Sequence, residues 1–157
     1  LLSYSLNDTA FLSHAKYVDT VNPNLGAQSI YGNPLPNAPK NKVSLNSNYT
    51  FVFDQGDLTL SGTYLWRDTQ TGAIFDQSYW KAPSWSQVDL RATWRGPGDR
   101  YEFILYGANV FNTTGYPGGP VAYQAGNATT PTIYSVRDIL TTNPPATYGV
   151  EVHYKFF

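Results

Sequence analysis

The chain has 157 residues, a formal net charge of −1 and no cysteine, with 16% aromatic and 13% charged side chains. These values exclude disulfides and thiolate metal sites, and the scattered Lys and Arg leave no electrostatic footprint for nucleic acid. The charged share is about half that of a soluble globular domain, and few charges with many aromatics suit an interface with lipid. The length favours one domain, yet the chain opens Leu1-Leu2-Ser3 and holds no methionine, so it reads as a piece of something longer. No apolar run approaches the ~20 residues of a membrane helix, and the first residues lack the basic and apolar regions of a secretory signal. Any contact with a membrane must then be made by strands.

Residues 1–9 read as the end of a first strand and residues 17–40 as a long connection. Over residues 41–53, Val43, Leu45, Tyr49, Phe51 and Phe53 share one parity and Ser44, Asn46, Asn48 and Thr50 the other, which predicts a two-faced strand. Asp54-Gln55-Gly56 is a tight turn, and residues 57–67 return with Leu58, Leu60, Gly62, Tyr64 and Trp66 on the apolar parity. After a long connection over residues 68–85, the strand at 86–95 sets Val88, Leu90, Ala92 and Trp94 against Asp89, Arg91 and Thr93. Gly96-Pro97-Gly98-Asp99 turns the chain back. In the return strand at 100–111 the alternation blurs, because Tyr101, Phe103 and Leu105 compete with Ile104, Tyr106, Ala108 and Val110. We read the second set as outward, with Asn109 facing in. A third long connection, 112–146, leads to a last strand at 147–157, where Tyr148, Val150, Val152, Tyr154 and Phe156 oppose Gly149, Glu151, His153 and Lys155.

Short and long connections alternate strictly, so an antiparallel meander puts every tight turn at one end and every long loop at the other. Transmembrane β-barrels of the bacterial outer membrane have this asymmetry, with short periplasmic turns and longer outer loops. The lipid-facing set is then Val43, Leu45, Tyr49, Phe51, Leu58, Leu60, Tyr64, Trp66, Val88, Leu90 and Trp94. Aromatics fall in two bands about an aliphatic waist: Phe51, Phe53, Trp94, Tyr101, Tyr154 and Phe156 near the tight turns, and Tyr64, Trp66, Phe111 and Tyr148 near the loops. Such bands match the girdles that form where hydrocarbon meets water. The loops, rich in Gly, Pro, Asn and Thr, are expected to lack regular structure.

A barrel needs ~8 strands before side chains just fill it, and unpaired strand edges are costly in lipid. The six strands read here therefore belong to a larger barrel, a barrel completed by another chain, or an incomplete piece of a longer protein, and the terminal segment of a larger barrel suits the last strand best.

No catalytic motif is present: there is no Gly-X-Ser-X-Gly, no phosphate-cradling glycine loop and no His-Glu-X-X-His. His14 and His153 lie far apart in sequence, and no metal or other cofactor is expected. Asp89 with Arg91, and Glu151 with Lys155, share inward faces and read as structural or internal contacts. Binding is expected on the loops, where Tyr79, Trp80 and Trp85, with Tyr116 and Tyr123, could stack on a sugar ring or aromatic chelator or simply pack loop against loop. Asn127-Ala128-Thr129 matches a glycosylation triplet that an Asn- and Thr-rich sequence produces by chance.

Several stretches, in this order and spacing, carry a family likeness. They are Leu35-Pro36-Asn37-Ala38-Pro39-Lys40-Asn41-Lys42, Leu58-Thr59-Leu60-Ser61-Gly62-Thr63-Tyr64 with Trp66-Arg67-Asp68, Val88-Asp89-Leu90-Arg91-Ala92, Asn109-Val110-Phe111-Asn112 and Thr147-Tyr148-Gly149-Val150-Glu151. The chain resembles the C-terminal part of a TonB-dependent outer-membrane receptor. The resemblance implies an all-β fold in which about six antiparallel strands form the C-terminal part of a 22-stranded barrel, with the plug domain absent from this segment. It implies import of a scarce nutrient, an iron chelate, cobalamin or a glycan, without enzymatic activity. The implied partners are the remaining barrel and plug, lipid and lipopolysaccharide, TonB through an N-terminal part, and the barrel-assembly machinery, with the C-terminus periplasmic. Tyr148, Val150, Val152, Tyr154 and Phe156 resemble the signal that this machinery reads. Two features depart from the family pattern: Asn112 stands where Asp is usual, and Phe157 follows the lipid-facing Phe156. A soluble carbohydrate-binding β-sandwich and a small self-associating outer-membrane pore or adhesin remain the alternatives.

Overall fold

The computed structural model describes the backbone of residues 1–125 and 135–156 and the side chains of residues 1–122 and 139–156. In chain order the strands are β1 (Leu2–Leu6), β2 (Lys16–Val18), β3 (Ala27–Ser29), β4 (Asn41–Phe53), β5 (Gly56–Arg67), β6 (Gln70–Thr71), β7 (Lys81–Ala82), β8 (Trp85–Arg95), β9 (Tyr101–Ala108), β10 (Val121–Ala125), β11 (Ser135–Ile139) and β12 (Thr147–Tyr154). Among the described residues one six-stranded sheet runs β1-β4-β5-β8-β9-β12, and three two-stranded sheets pair β2 with β3, β6 with β7 and β10 with β11. Every neighbouring pair in the large sheet is antiparallel. It is an open meander, with β1 and β12 as its outer strands.

Opposed residues in an antiparallel pair share a face, so the register divides the sheet in two. One face carries Leu2, Tyr4, Val43, Leu45, Tyr49, Phe51, Leu58, Leu60, Tyr64, Trp66, Val88, Leu90 and Trp94, linked by pairs such as Tyr49 with Leu60 and Leu60 with Ala92. The other carries Ser44, Asn46, Asn48, Thr50, Thr59, Thr63, Asp89 and Arg91. Polar side chains on that face bond across strands, Thr50 to Thr59 at 2.9 Å and the Thr63 hydroxyl donating to the Asn46 side-chain Oδ1 at 3.0 Å. On the apolar face rings gather at the tight-turn end, with Tyr49 against Phe51 at 4.7 Å, Phe53 against Trp94 at 5.9 Å and Tyr154 against Phe156 at 5.0 Å.

The reading of β9 is corrected. Tyr101, Phe103 and Leu105 pair with Tyr154, Val152 and Val150 of β12, and Phe103 and Leu105 also with Trp94 and Ala92 of β8. They lie on the apolar face, so Ile104, Tyr106 and Ala108 lie on the polar one. Asn109 adopts a left-handed backbone, φ 51°, and breaks the alternation between Ala108 and Val110, so a phase read backwards from Val110 is wrong by one residue. A one-residue slip moves every side chain to the other face. Glycines hold the register at the loop end. Tyr148 opposes Gly107 and Tyr106 opposes Gly149, on opposite faces; a Cβ at Gly149 would collide with the Tyr106 ring, and one at Gly107 would collide with Val110 and press on the Tyr148 ring. Each ring covers a bare backbone, a cross-strand device that flat alternation does not reveal.

The expectation of irregular loops is also corrected, since each long connection holds a short antiparallel hairpin. The apolar core sits there too. Among the described residues the buried hydrophobic ones are Val21, Ile30, Phe75, Trp80, Ala82, Trp85, Ile104 and Ala122, and of these only Ile104 lies within the span of the large sheet away from the loop end. A sandwich would place its core between two facing sheets; among the described residues no second sheet lines the large one.

Candidate loop-cap site

Three loops leave the same end of the large sheet and are stitched into one cap. Val21 from the first loop, Phe75 and Trp80 from the second and Ala122 from the third form a buried cluster, with Ala73, Ile74 and Tyr79 against it. Asp19, 1% exposed, anchors it: its carboxylate accepts from the Tyr79 hydroxyl at 2.7 Å, the Trp80 indole N–H at 3.0 Å and the Val21 backbone N–H at 2.9 Å. A buried carboxylate is tolerable when several donors replace its water. Desolvation, followed by the hydrogen bond to Asp19 and its charge, raises the Tyr79 pKa well above that of a free phenol.

Hydrogen bonds join the loops at longer range. The Asn33 amide donates to the Ile74 carbonyl at 2.9 Å, Gln77 to Gln28 at 2.6 Å, and the Gly119 N–H to the Asn37 side chain at 2.8 Å. Gly72 and Gly119 let two backbones touch, for a Cβ at Gly72 would collide with the Pro120 carbonyl. Gly72→Ala is accordingly expected to weaken the cap by about 1–3 kcal/mol, the usual cost of overpacking. Faster protease cleavage within residues 68–84 and 112–122, with the barrel intact, is the measurement that checks it.

Asparagines fasten the third loop to the strands beneath. The Asn109 N–H donates to Asp89 at 2.7 Å, and its side chain donates to the Thr113 and Pro144 carbonyls, each at 3.0 Å. Asn143 donates to Gln87 at 3.0 Å and accepts from the Gly115 N–H at 2.7 Å. Asn112 accepts from the Ala146 N–H at 3.0 Å. That role needs only an acceptor oxygen, which the Asn112 amide supplies.

The sequence-derived binding residues fall into unlike positions. Trp80 is buried and Tyr79 partly buried in the cap cluster. Trp85, also buried, lies over Gly115, donates its indole N–H to the Tyr116 carbonyl at 3.2 Å and receives the Arg67 guanidinium at 6.0 Å. Tyr116 is half-buried beside it. Tyr123 lies in β10, its side chain outside the described residues, as are the Asn127 triplet and Phe157. On the polar face Asp89 is held by Gln87 and Asn109 and makes no ion pair with Arg91 among the described residues. His153 sits 3.3 Å from Glu102 and 3.7 Å from Glu151, and Arg95 pairs with Glu102 at 3.0 Å. Among the described residues no group of three or more His, Cys, Asp or Glu gathers as a metal site.

Sequence reading missed Asp19. Asp19 bonds forward to the Val21 N–H, a turn signal that sequence can show, but its partners Tyr79 and Trp80 stand some sixty positions away and nothing local points to them.

Comparison with known proteins places the geometry. Residues 2–113 match the family model described as TonB dependent receptor-like, beta-barrel. No curated protein matches the chain. Among solved structures, BauA, the ferric preacinetobactin receptor from Acinetobacter baumannii, is similar in fold, with a TM-score of 0.53 and 22% identity over 80% of this chain. The chain spans 16% of the length of that receptor.

Proposed function

Since the chain belongs to the TonB-dependent receptor β-barrel family, we propose that it forms wall and outer loops of an active importer in the bacterial outer membrane. The cargo is a scarce nutrient, an iron chelate, cobalamin or a glycan, and energy reaches the receptor through TonB. The segment performs no enzymatic step in this reading. It supplies about six strands of a 22-stranded barrel, with the plug and the other strands contributed by the rest of the receptor. The apolar face meets lipid and, on the outer side, lipopolysaccharide, while the polar face lines the interior around the plug.

One observation carries the reading: a sheet apolar on one face and polar on the other, whose buried core lies in the loops at one end rather than on the sheet. In water that arrangement leaves a large apolar surface exposed; in a bilayer it is the stable one. The segment holds no cysteine, so cysteines introduced into it can be read against the unsubstituted receptor as background. In whole cells expressing the full receptor, a membrane-impermeant maleimide is expected to label Asn24→Cys in the first loop and to spare Gln55→Cys in the β4–β5 turn. Labelling of Gln55→Cys in unbroken cells would reverse the topology, and uptake that persists without TonB would refute active import.

The last strand carries a second expectation. Phe156→Ala removes the exposed ring packed against Tyr154 and should lower the yield of assembled barrel, whereas deletion of Phe157 should be tolerated. Heat-modifiable migration on a gel measures both, and equal yields would remove any special role for Phe156.

A further inference from the structure

The polar face of the large sheet is divided by charge. Successive rows cross it as Asn46-Thr63-Asp89, Asn48-Ser61-Arg91 and Thr50-Thr59-Thr93, the last continuing through Ile104 to Glu151. On β4 and β5 these rows hold only hydroxyls and amides, for the charged residues of that face, Lys42, Arg67 and Asp57, stand nearer the strand ends. Toward β12 the charges begin. Asp89, Arg91 and Glu151 lie in the rows themselves, and in the next row toward the tight turns Arg95 pairs with Glu102 at 3.0 Å and Glu102 faces His153 at 3.3 Å. A hollow of about 370 Å³ opens on this side, with Asp89, Arg91, Tyr106 and Glu151 in its lining.

The halves also differ in what they leave unmet. Thr50 bonds to Thr59, Thr63 donates to Asn46 and Asn46 to Ser44, so groups on the uncharged half satisfy one another. Arg91 is exposed, reaches only the Thr93 hydroxyl at 3.4 Å and forms no ion pair among the described residues.

We propose that the plug is held by the charged half and that cargo passes along the uncharged wall of β4 and β5. Charge-assisted bonds are roughly twice as strong as neutral ones and fix orientation, so a plug carboxylate at Arg91 makes an anchor that the hydroxyl wall has no group to match. A passage asks for the reverse. Sites along a pathway must bind weakly enough to release, and hydroxyls and amides donate and accept alike, whatever the charge of what passes. The assignment rests on the importer reading above and adds which strands face the moving cargo.

Thr50→Cys and Thr93→Cys test it, since the two threonines share a row, one on each half. The probes are the methanethiosulfonate reagents carrying an ethylammonium cation or an ethylsulfonate anion, applied to the purified full receptor in detergent. Protection is the reaction rate in the guanidinium-unfolded receptor divided by that in the folded one. Thr93→Cys should be protected about tenfold more than Thr50→Cys, equivalent to about 1.4 kcal/mol, and Thr50→Cys should react with cation and anion alike. Arg91→Gln should lower the protection at Thr93→Cys while heat-modifiable migration stays unchanged, and Asn48→Ala should alter neither position. In respiring cells given ferric citrate, cobalamin and maltodextrin, with uptake of each measured in parallel, reaction at Thr50→Cys should quicken only where TonB is present, and reaction at Thr93→Cys should hold constant. Equal protection at the two positions, stronger protection at Thr50→Cys, or uptake that proceeds with no faster reaction at Thr50→Cys would overturn the proposal. If uptake requires TonB and any of those results is found, the wall assignment fails while the importer reading stands.

Discussion

Leu105→Arg and Leu60→Arg should each destabilise the lipid-embedded receptor by about 2–4 kcal/mol, the cost of a charged side chain on the lipid face near the bilayer midplane. Leu60 lies in the apolar row that the alternation of β5 predicts. Leu105 lies there only because of register, opposite Ala92 on one side and Val150 on the other. Its neighbour Tyr106 falls on the polar face, opposite Arg91 and Gly149. The informative comparison is therefore between Leu105→Arg and Ser61→Arg, the latter on the polar face opposite Asn48 and Arg91. Ser61→Arg should cost under ~1 kcal/mol, as surface substitutions away from packed features do. Guanidinium titration of the receptor refolded into vesicles measures all three. A cost for Ser61→Arg as large as that for Leu105→Arg would mean that the faces are reversed.

Asp19→Ala should loosen the loop cap by on the order of 3 kcal/mol, since it strands the Tyr79 hydroxyl, the Trp80 indole and the Val21 N–H at once. The loss is local. The cap joins the large sheet only at its loop end, so the melting temperature of the barrel should hold while amide exchange accelerates around residues 16–30 and 70–82. Faster exchange spread evenly over β4, β5 and β8 would contradict this. Alkaline titration adds a signature. The folded-state pKa of Tyr79 is raised, so its contribution is complete below the ordinary phenol value of about 10 and is lost as pH climbs above it. The ultraviolet difference between wild type and Tyr79→Phe should show this tyrosine ionising later than the others, and Asp19→Asn should bring it earlier by removing the neighbouring charge. A Tyr79 that titrates like a free phenol in the wild type would show that Asp19 does not hold it.

How much of this was legible depended on how far apart the partners stand. The strand at Asn41–Phe53 and its return from Gly56 to Arg67 are visible in the sequence because both the period-two alternation and the Asp54-Gln55-Gly56 turn are local. Alternation failed in Tyr101–Ala108, where both parities are apolar, and there hydrogen bonding to Trp85–Arg95 on one side and Thr147–Tyr154 on the other chose the face. Loop order was missed for a related reason. Gly, Pro and Asn signal where the chain turns, but not that Gly72 lies against Pro120 or that Asn37 receives the Gly119 N–H. The aromatic residues Trp80 and Trp85 stood out as chemistry, and the structure places both in packing.

The sequence by itself determined a two-faced antiparallel wall with its long connections at one end, because side-chain alternation and turn chemistry are written over stretches of a few residues. Only the tertiary structure decided which way Leu105 and Tyr106 point and how Asp19 ties two loops together. Those outcomes depend on groups that approach one another only after the strands have paired, and no local pattern records which distant backbone will arrive opposite.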